Sequence, residues 1–100
     1  MDKLVRIGKC EDIPQGEGRK FSLNGEDIGV FNLGDKILAI SNLCPHLGGP
    51  LSDGLVLGEE VICPMHSRSI NLITGCVKNE NKSVRTYEVV LKNGEIYLKA

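Results

Sequence analysis

Short apolar runs separated by turn residues recur along most of the chain. Runs of this length, rich in β-branched side chains, predict strands rather than helices. The predicted strands are Leu4–Ile7, Phe21–Leu23, Ile28–Phe31, Ile37–Ile40, Val61–Ile62, Tyr87–Leu91 and Glu95–Leu98. No window of about eleven residues places apolar positions at helical spacing between two caps. Any helix is therefore predicted to be short.

Turn residues between these runs predict hairpins. Asn24-Gly25 and Asn93-Gly94 each lie between two predicted strands, and Asn-Gly favours the positive φ angles that a two-residue hairpin loop needs. Gly34-Asp35 is predicted to turn a third hairpin. Strands joined in this way pair antiparallel, so the fold class is predicted to be all-β, a small antiparallel β-sandwich or barrel.

Two segments in the middle of the chain do not follow this pattern of apolar runs and turns. Asn42–Gly58 contains too much Pro and Gly for regular structure and too many apolar residues for a solvated loop. Cys63–Ser69 is a second irregular stretch and follows a short predicted strand. Ordered loops on a β scaffold usually carry the function of the domain.

Composition narrows the range of functions. The 100 residues include 12 Lys and Arg against 13 Asp and Glu, a net charge of −1, which gives no basic footprint for nucleic acid. Charged residues, Gly or Pro interrupt every apolar stretch, so no membrane span is expected. Charges within Met1–Cys10 interrupt the apolar centre that a secretory signal needs, and a cytoplasmic location is expected.

The two histidines of the chain each lie close to a cysteine. The two segments read Cys44-x-His46 and Cys63-x-x-His66. A structural zinc site usually pairs two cysteines and two histidines at characteristic short spacings, whereas here each segment offers one thiolate and one imidazole. That combination suits a binuclear iron–sulfur cluster in which one iron takes both thiolates and the other takes both imidazoles. A zinc-stabilised interaction module remains an alternative.

Other residues near these segments have simpler interpretations. Cys10 and Cys76 lie outside the motif and are expected to pack as small buried hydrophobic residues. Arg68 is either a solvated charge or a contact to an acidic partner. A Cys63–His66 nucleophile pair would leave Cys44 and His46 unexplained.

The motif resembles a known signature. Cys-x-His-x-Gly-x-x-Leu over Cys44–Leu51, with Cys-Pro-x-His over Cys63–His66, is similar to the Rieske [2Fe-2S] motif. Glu11–Gly18 resembles the early loop of small Rieske ferredoxins and of the small subunit of assimilatory nitrite reductase. Leu72–Gly75 and the hairpin Tyr87–Leu98 match the same families.

The resemblance implies a fold and a cofactor. It implies a single Rieske domain over residues 1–100, a Rieske fold in which a small barrel carries an inserted subdomain with cluster-binding loops at about 42–52 and 62–70. It also implies one [2Fe-2S] cluster that serves as the metal centre. The implied ligands are Cys44 and Cys63 on the inner iron, and His46 and His66 on the outer iron near the surface.

The resemblance also implies a function. The expected activity is one-electron transfer by a soluble Rieske-type ferredoxin, with no catalytic residue of its own. Its partners would be redox proteins, an electron-donating reductase and an accepting oxygenase or reductase. Alternatives are the small subunit of a nitrite reductase and the ferredoxin component of a ring-hydroxylating dioxygenase.

Departures from the family pattern bear on the reduction potential. High-potential respiratory members form a disulfide between positions that correspond here to Gly49 and Met65, and they carry Ser and Tyr hydrogen-bond donors where this chain has Arg68 and Ile70. Fewer donors to the cluster sulfurs favour a lower potential. We therefore expect a potential in the lower part of the Rieske range of roughly −150 to +300 mV.

Overall fold

The computed structural model describes residues 4–42, 50–63 and 68–99, which form antiparallel strands with two short 3₁₀ turns. The strands are β1 Leu4–Lys9, β2 Gly18–Leu23, β3 Glu26–Asn32, β4 Ile37–Ser41, β5 Leu55–Leu57, β6 Glu60–Ile62, β7 Ser69–Asn71, β8 Thr86–Tyr87, β9 Val89–Lys92 and β10 Glu95–Lys99. The 3₁₀ turns are Cys10–Asp12 and Leu51–Asp53. The all-β prediction is confirmed.

The predicted hairpins form as expected. Asn24 and Gly25 have φ angles of 53° and 81° between β2 and β3, and Asn93 and Gly94 have 51° and 78° between β9 and β10. Gly34, with φ of 95°, lies in the longer turn between β3 and β4. Each predicted strand coincides with an observed one, except that Tyr87–Leu91 is divided between β8 and β9.

The strands of the described residues form three sheets, ordered β1-β10-β9, β2-β3-β4-β8 and β5-β6-β7. Neighbouring residues of β3 face opposite sides of the central sheet. Val30 packs in one core with residues of β10, while Phe31 packs in another with residues of β6 and β7. The central sheet thus carries the β5-β6-β7 sheet on one of its two buried faces.

The prediction of irregular structure throughout Asn42–Gly58 is wrong for β5, Leu55–Leu57. This short strand pairs with β6 in antiparallel register, Val56 opposite Val61. Gly54 permits the close approach of its backbone to the end of β6, because a Cβ at this position would clash with the carbonyl oxygen of Ile62. The strand therefore depends on a tertiary contact that its local Gly-rich sequence does not reveal.

The last residue of the second predicted irregular segment also differs from expectation. Ser69 begins β7 and pairs with Ile62 of β6. Leu72–Gly75 forms the turn that follows β7, and the amide oxygen of Asn71 accepts hydrogen bonds from the backbone of Ile73 and Thr74 at 2.8 and 3.0 Å. Within the described ranges, no helix has the length and apolar character needed to cross a membrane.

Candidate metal centre

The structure places one of the four predicted ligands. Cys63 follows β6 directly, is 1% exposed and packs in the core between the central sheet and β5-β6-β7. Cys44, His46 and His66 lie outside the described residues. In the part of the chain that is described, no other group of three or more His, Cys, Asp or Glu side chains could hold a metal ion.

A backbone hydrogen bond fixes the ends of the second predicted ligand segment. The amide of Cys63 donates to the carbonyl oxygen of Arg68 at 2.8 Å, which continues the β6–β7 pairing by one residue. On the other side of β7, the amide of Lys78 donates to the carbonyl oxygen of Ser69 at 2.8 Å. Cys63 is therefore held at the end of a paired hairpin.

Asn42 fixes the ends of the first predicted ligand segment. Its backbone carbonyl accepts a hydrogen bond from Leu51 at 3.0 Å, and its side-chain Oδ1 accepts one from the amide of Ser52 at 2.6 Å. Its own amide donates to Asp27 at 3.0 Å, and the residue is 1% exposed. A Cβ at Gly29 would lie 2.7 Å from this Oδ1, so only glycine leaves room for the amide.

Sequence reasoning missed Asn42 as a positioning residue. The available signal is an Asn at the end of a strongly apolar strand, two residues before Cys44. A buried amide in that position needs hydrogen-bond partners, but those partners lie ten residues further along the chain.

The two predicted ligand segments share one core. Leu51, which closes the first segment, and Cys63, which opens the second, belong to the same buried cluster. The ion pair between Lys36 and Glu59 also links the turn before β4 to the turn before β6. The described ends of both segments are thus held in a fixed relation to each other.

Arg68 keeps an exposed side chain, as its interpretation as a solvated charge expects, and it also makes an intramolecular ion pair. Its Nη1 lies 2.9 Å from Oε2 of Glu80, and the side chains are 50% and 17% exposed. Ile70, the other departure from the high-potential pattern, is fully buried in the core and offers no side-chain donor.

Hydrogen bonds to carboxylates shift the pKa values of side chains elsewhere on the surface. Tyr87 donates a hydrogen bond to Oε2 of Glu26 at 2.8 Å. Partial burial, followed by this bond, raises the pKa of Tyr87 above its ordinary value. The hydrogen bond to Glu95 raises the pKa of Arg6, and the corresponding bond to Glu59 raises that of Lys36.

The expectation of buried packing is wrong for Cys76. Cys10 is half-buried and packs against the core around β10, whereas Cys76 is exposed. The extended backbone at Cys76 pairs with Ser83, and the next residue, Val77, is 2% exposed and takes the inward position. Neighbouring side chains on extended backbone face opposite sides, so Cys76 faces outward.

Residues 3–88 match the sequence model of a protein family described as the Rieske [2Fe-2S] domain. The chain belongs to the Rieske family. A ferredoxin component of the naphthalene 1,2-dioxygenase/salicylate 5-hydroxylase systems from Ralstonia sp. is 34% identical over 92 residues, 89% of this chain and 88% of the relative.

Two solved structures resemble this Rieske protein closely. The ferredoxin of carbazole 1,9a-dioxygenase from Nocardioides aromaticivorans IC177 has a TM-score of 0.88 and 31% identity, and the match covers 96% of both chains. The NirD protein of E. coli has a TM-score of 0.88 and 30% identity, covering 100% of this chain and 98% of its own.

The family establishes the cofactor and the chemistry. A Rieske domain carries one [2Fe-2S] cluster, and this Rieske protein is a ferredoxin that transfers one electron at a time. The structure fits the cofactor, because Cys63 offers a thiol that is screened from water and held by a paired hairpin. A thiolate in such a site is a ligand that iron–sulfur clusters use.

Proposed function

We propose that Cys44 and Cys63 hold one iron of the cluster through their thiolates, and that His46 and His66 hold the other through their imidazoles. The buried position of Cys63 carries this proposal, because a motif thiol screened from water suits ligation of an iron–sulfur cluster. The cluster supplies a centre that accepts and returns a single electron.

The charges of this donor set agree with electron transfer. An oxidised two-iron, two-sulfide core carries a charge of about +2, which two thiolates and two neutral imidazoles balance. Four thiolates would leave a charge of about −2 and would make reduction harder. The protein contributes a dry thiolate at Cys63 and two segment ends fixed by Asn42 and Arg68.

Ligand replacement tests the proposed set. Cys63→Ser and Cys44→Ser are expected to lose the bound iron and sulfide together with the visible absorption of the cluster, whereas the matched variant Cys76→Ser retains all three. The measurement is iron and acid-labile sulfide per chain, with a visible spectrum. A Cys63→Ser protein with full iron, or a wild-type protein that binds only zinc, would contradict the proposal.

The same protein is proposed to act as a carrier between a reductase and an oxygenase. Two relatives are ferredoxin components of oxygenase systems, and they support an oxygenase as the acceptor. Among the described residues, Leu55 and Leu57 are exposed neighbours on the short strand β5. Transient redox encounters bury small interfaces, whereas permanent subunits bury large apolar ones, so the area buried with a partner distinguishes a carrier from a subunit.

A second candidate function is the small subunit of a nitrite reductase. The similarity to E. coli NirD over the whole chain supports it. Size-exclusion chromatography with the catalytic subunit of a nitrite reductase, and separately with a ring-hydroxylating oxygenase, distinguishes the two. A carrier elutes alone in both mixtures and still delivers electrons to the oxygenase in stopped-flow mixing. Stable co-elution with the nitrite reductase would favour the subunit.

We also propose a cytoplasmic location. Cys10 and Cys76 form no disulfide with any described residue, and Cys76 is exposed. Exposed thiols persist in compartments that keep cysteines reduced. Cell fractionation with a tagged protein tests this, and recovery of the protein in an oxidising compartment would contradict it.

A further inference from the structure

The ion pair between Arg68 and Glu80 joins the second predicted ligand segment to a separate turn of the chain. Glu80 lies in the turn between Val77 and Lys82, where the amide of Glu80 donates to Val77 at 3.2 Å and the amide of Val77 donates to Lys82 at 2.9 Å. The Glu80 side chain is 17% exposed. Its carboxylate is thus held largely out of solvent beside Arg68.

Arg68 is directly connected to a proposed ligand. Its carbonyl oxygen accepts the hydrogen bond from the amide of Cys63, and it follows His66 by two residues. The position is one where high-potential members carry a hydroxyl donor, and Ile70 supplies no side-chain donor either. A charged side chain, paired with Glu80, and a buried apolar one therefore occupy these two positions.

We propose that Arg68 and Glu80 form a pair of opposite charges, each of which shifts the reduction potential of this ferredoxin and offsets the shift caused by the other. Reduction adds a negative charge to the centre. A neighbouring positive charge therefore favours the reduced state and a neighbouring negative charge disfavours it. The pair holds both charges in place, and each offsets the other. This inference rests on the proposed ligation by Cys63 and His66.

Neutral replacements remove one of the two charges at a time and so distinguish their effects on the potential. Arg68→Gln removes the positive charge, and the midpoint potential is expected to fall. Glu80→Gln leaves the guanidinium unbalanced, and the potential is expected to rise. Each change alters the reduction equilibrium by about fourfold, the order expected for one partly screened charge, which is about 35 mV since tenfold corresponds to 59 mV for one electron. The double variant returns close to the wild-type value.

Protein-film voltammetry of the cluster-loaded full chain measures these potentials. The matched controls are Arg6→Gln and Glu95→Gln, which remove the partners of an ion pair between β1 and β10, on a different sheet. Both controls are expected to leave the potential within measurement error. Arg68→Lys keeps the charge and is expected to retain the wild-type potential.

The direction in which each variant shifts the midpoint potential decides whether the proposal holds. A purely structural role would shift both single variants in the same direction or leave the potential unchanged, and the proposal would then be wrong. If Arg68→Gln fails to take up iron, the rise in Glu80→Gln and the unchanged Arg68→Lys still test it, and a fall in Glu80→Gln would overturn it. Failure of the ligand assignment appears separately, as iron retained in Cys63→Ser.

Discussion

At the scale of single residues, Asn42 combines a buried side chain with hydrogen bonds to the chain on the far side of the first predicted ligand segment. Its Oδ1 accepts a hydrogen bond from the backbone amide of Ser52, a residue that is itself 8% exposed. Removing one partner of a buried hydrogen bond leaves the other unsatisfied, which costs about 1–3 kcal/mol. The amide therefore stabilises the site as well as the fold.

Asn42→Ala is expected to lower the free energy of unfolding by about 1–3 kcal/mol and to reduce the iron content after purification. The matched control is Asn71→Ala, which removes similar side-chain to backbone hydrogen bonds at an exposed turn and is expected to cost less. Urea unfolding monitored by circular dichroism measures both. An Asn42→Ala protein as stable as Asn71→Ala would contradict this role.

Tyr87 makes the stability of the folded protein depend on pH in the alkaline range. Burial and the bond to Glu26 raise the pKa of Tyr87 above its ordinary value of about 10. Because the folded state favours the protonated phenol, this contribution to stability is complete below pH 10 and is lost as the pH rises through the folded pKa. Tyr87→Phe lacks a titrating group at this position.

Unfolding free energies of wild type and Tyr87→Phe, measured from pH 8 upward, test this assignment. The wild type is expected to be more stable near neutral pH, by about 1 kcal/mol for one hydrogen bond, and to lose that advantage above pH 10. A difference that stays constant across the alkaline range would show that the phenol is not the titrating group.

Several residue roles could be predicted from the sequence because their signal is local. The spacing of Cys44, His46, Cys63 and His66 indicates the cofactor, and Asn-Gly pairs indicate the hairpins. The roles of Asn42 and Arg68 could not be predicted, because Ser52 and Glu80 lie ten and twelve residues away and only folding brings them close.

At the scale of secondary-structure elements, β5 shows where local sequence misleads. Its three residues stand between Gly54 and Gly58, which predicts a loop. The strand forms because Val56 pairs with Val61 and packs against the core beside Cys63. The longer strands could be predicted because their residues alternate between apolar and polar or form a whole apolar run. The strand β5, in contrast, depends on pairing with its neighbour β6.

Gly54→Ala tests the close contact that β5 requires. Gly54 has φ of −76°, so alanine is not strained by the backbone there, but its Cβ would meet the carbonyl of Ile62. Such overpacking costs about 1–3 kcal/mol. We expect Gly54→Ala to melt at a lower temperature than wild type and to carry less iron.

Gly16→Ala is the matched control for that variant. Gly16 has φ of 83° and nothing within 4 Å of a built Cβ, so alanine there introduces backbone strain without a clash. The control is expected to retain its full iron content even where its melting temperature falls. Equal iron loss in both variants would show that the contact at Gly54 is not specific to the site.

At the scale of the whole molecule, the central sheet separates two cores with different tasks. One core joins it to β1-β10-β9 and forms the scaffold, while the other joins it to β5-β6-β7 and holds Cys63. The sequence predicts an antiparallel sandwich or barrel, but the division into two cores depends on which face of β3 each side chain occupies. That division packs the β5-β6-β7 sheet, which leads into the second predicted ligand segment, against the central sheet.

The central claim is a cluster held by two thiolates and two imidazoles. Pulsed EPR of the reduced protein, prepared with ¹⁵N-labelled histidine, tests it most directly because the coupled nuclei report the ligands. We predict couplings from the nitrogens of two histidines, His46 and His66. A reduced cluster without histidine nitrogen couplings, or iron-free protein after anaerobic reconstitution, would contradict the account.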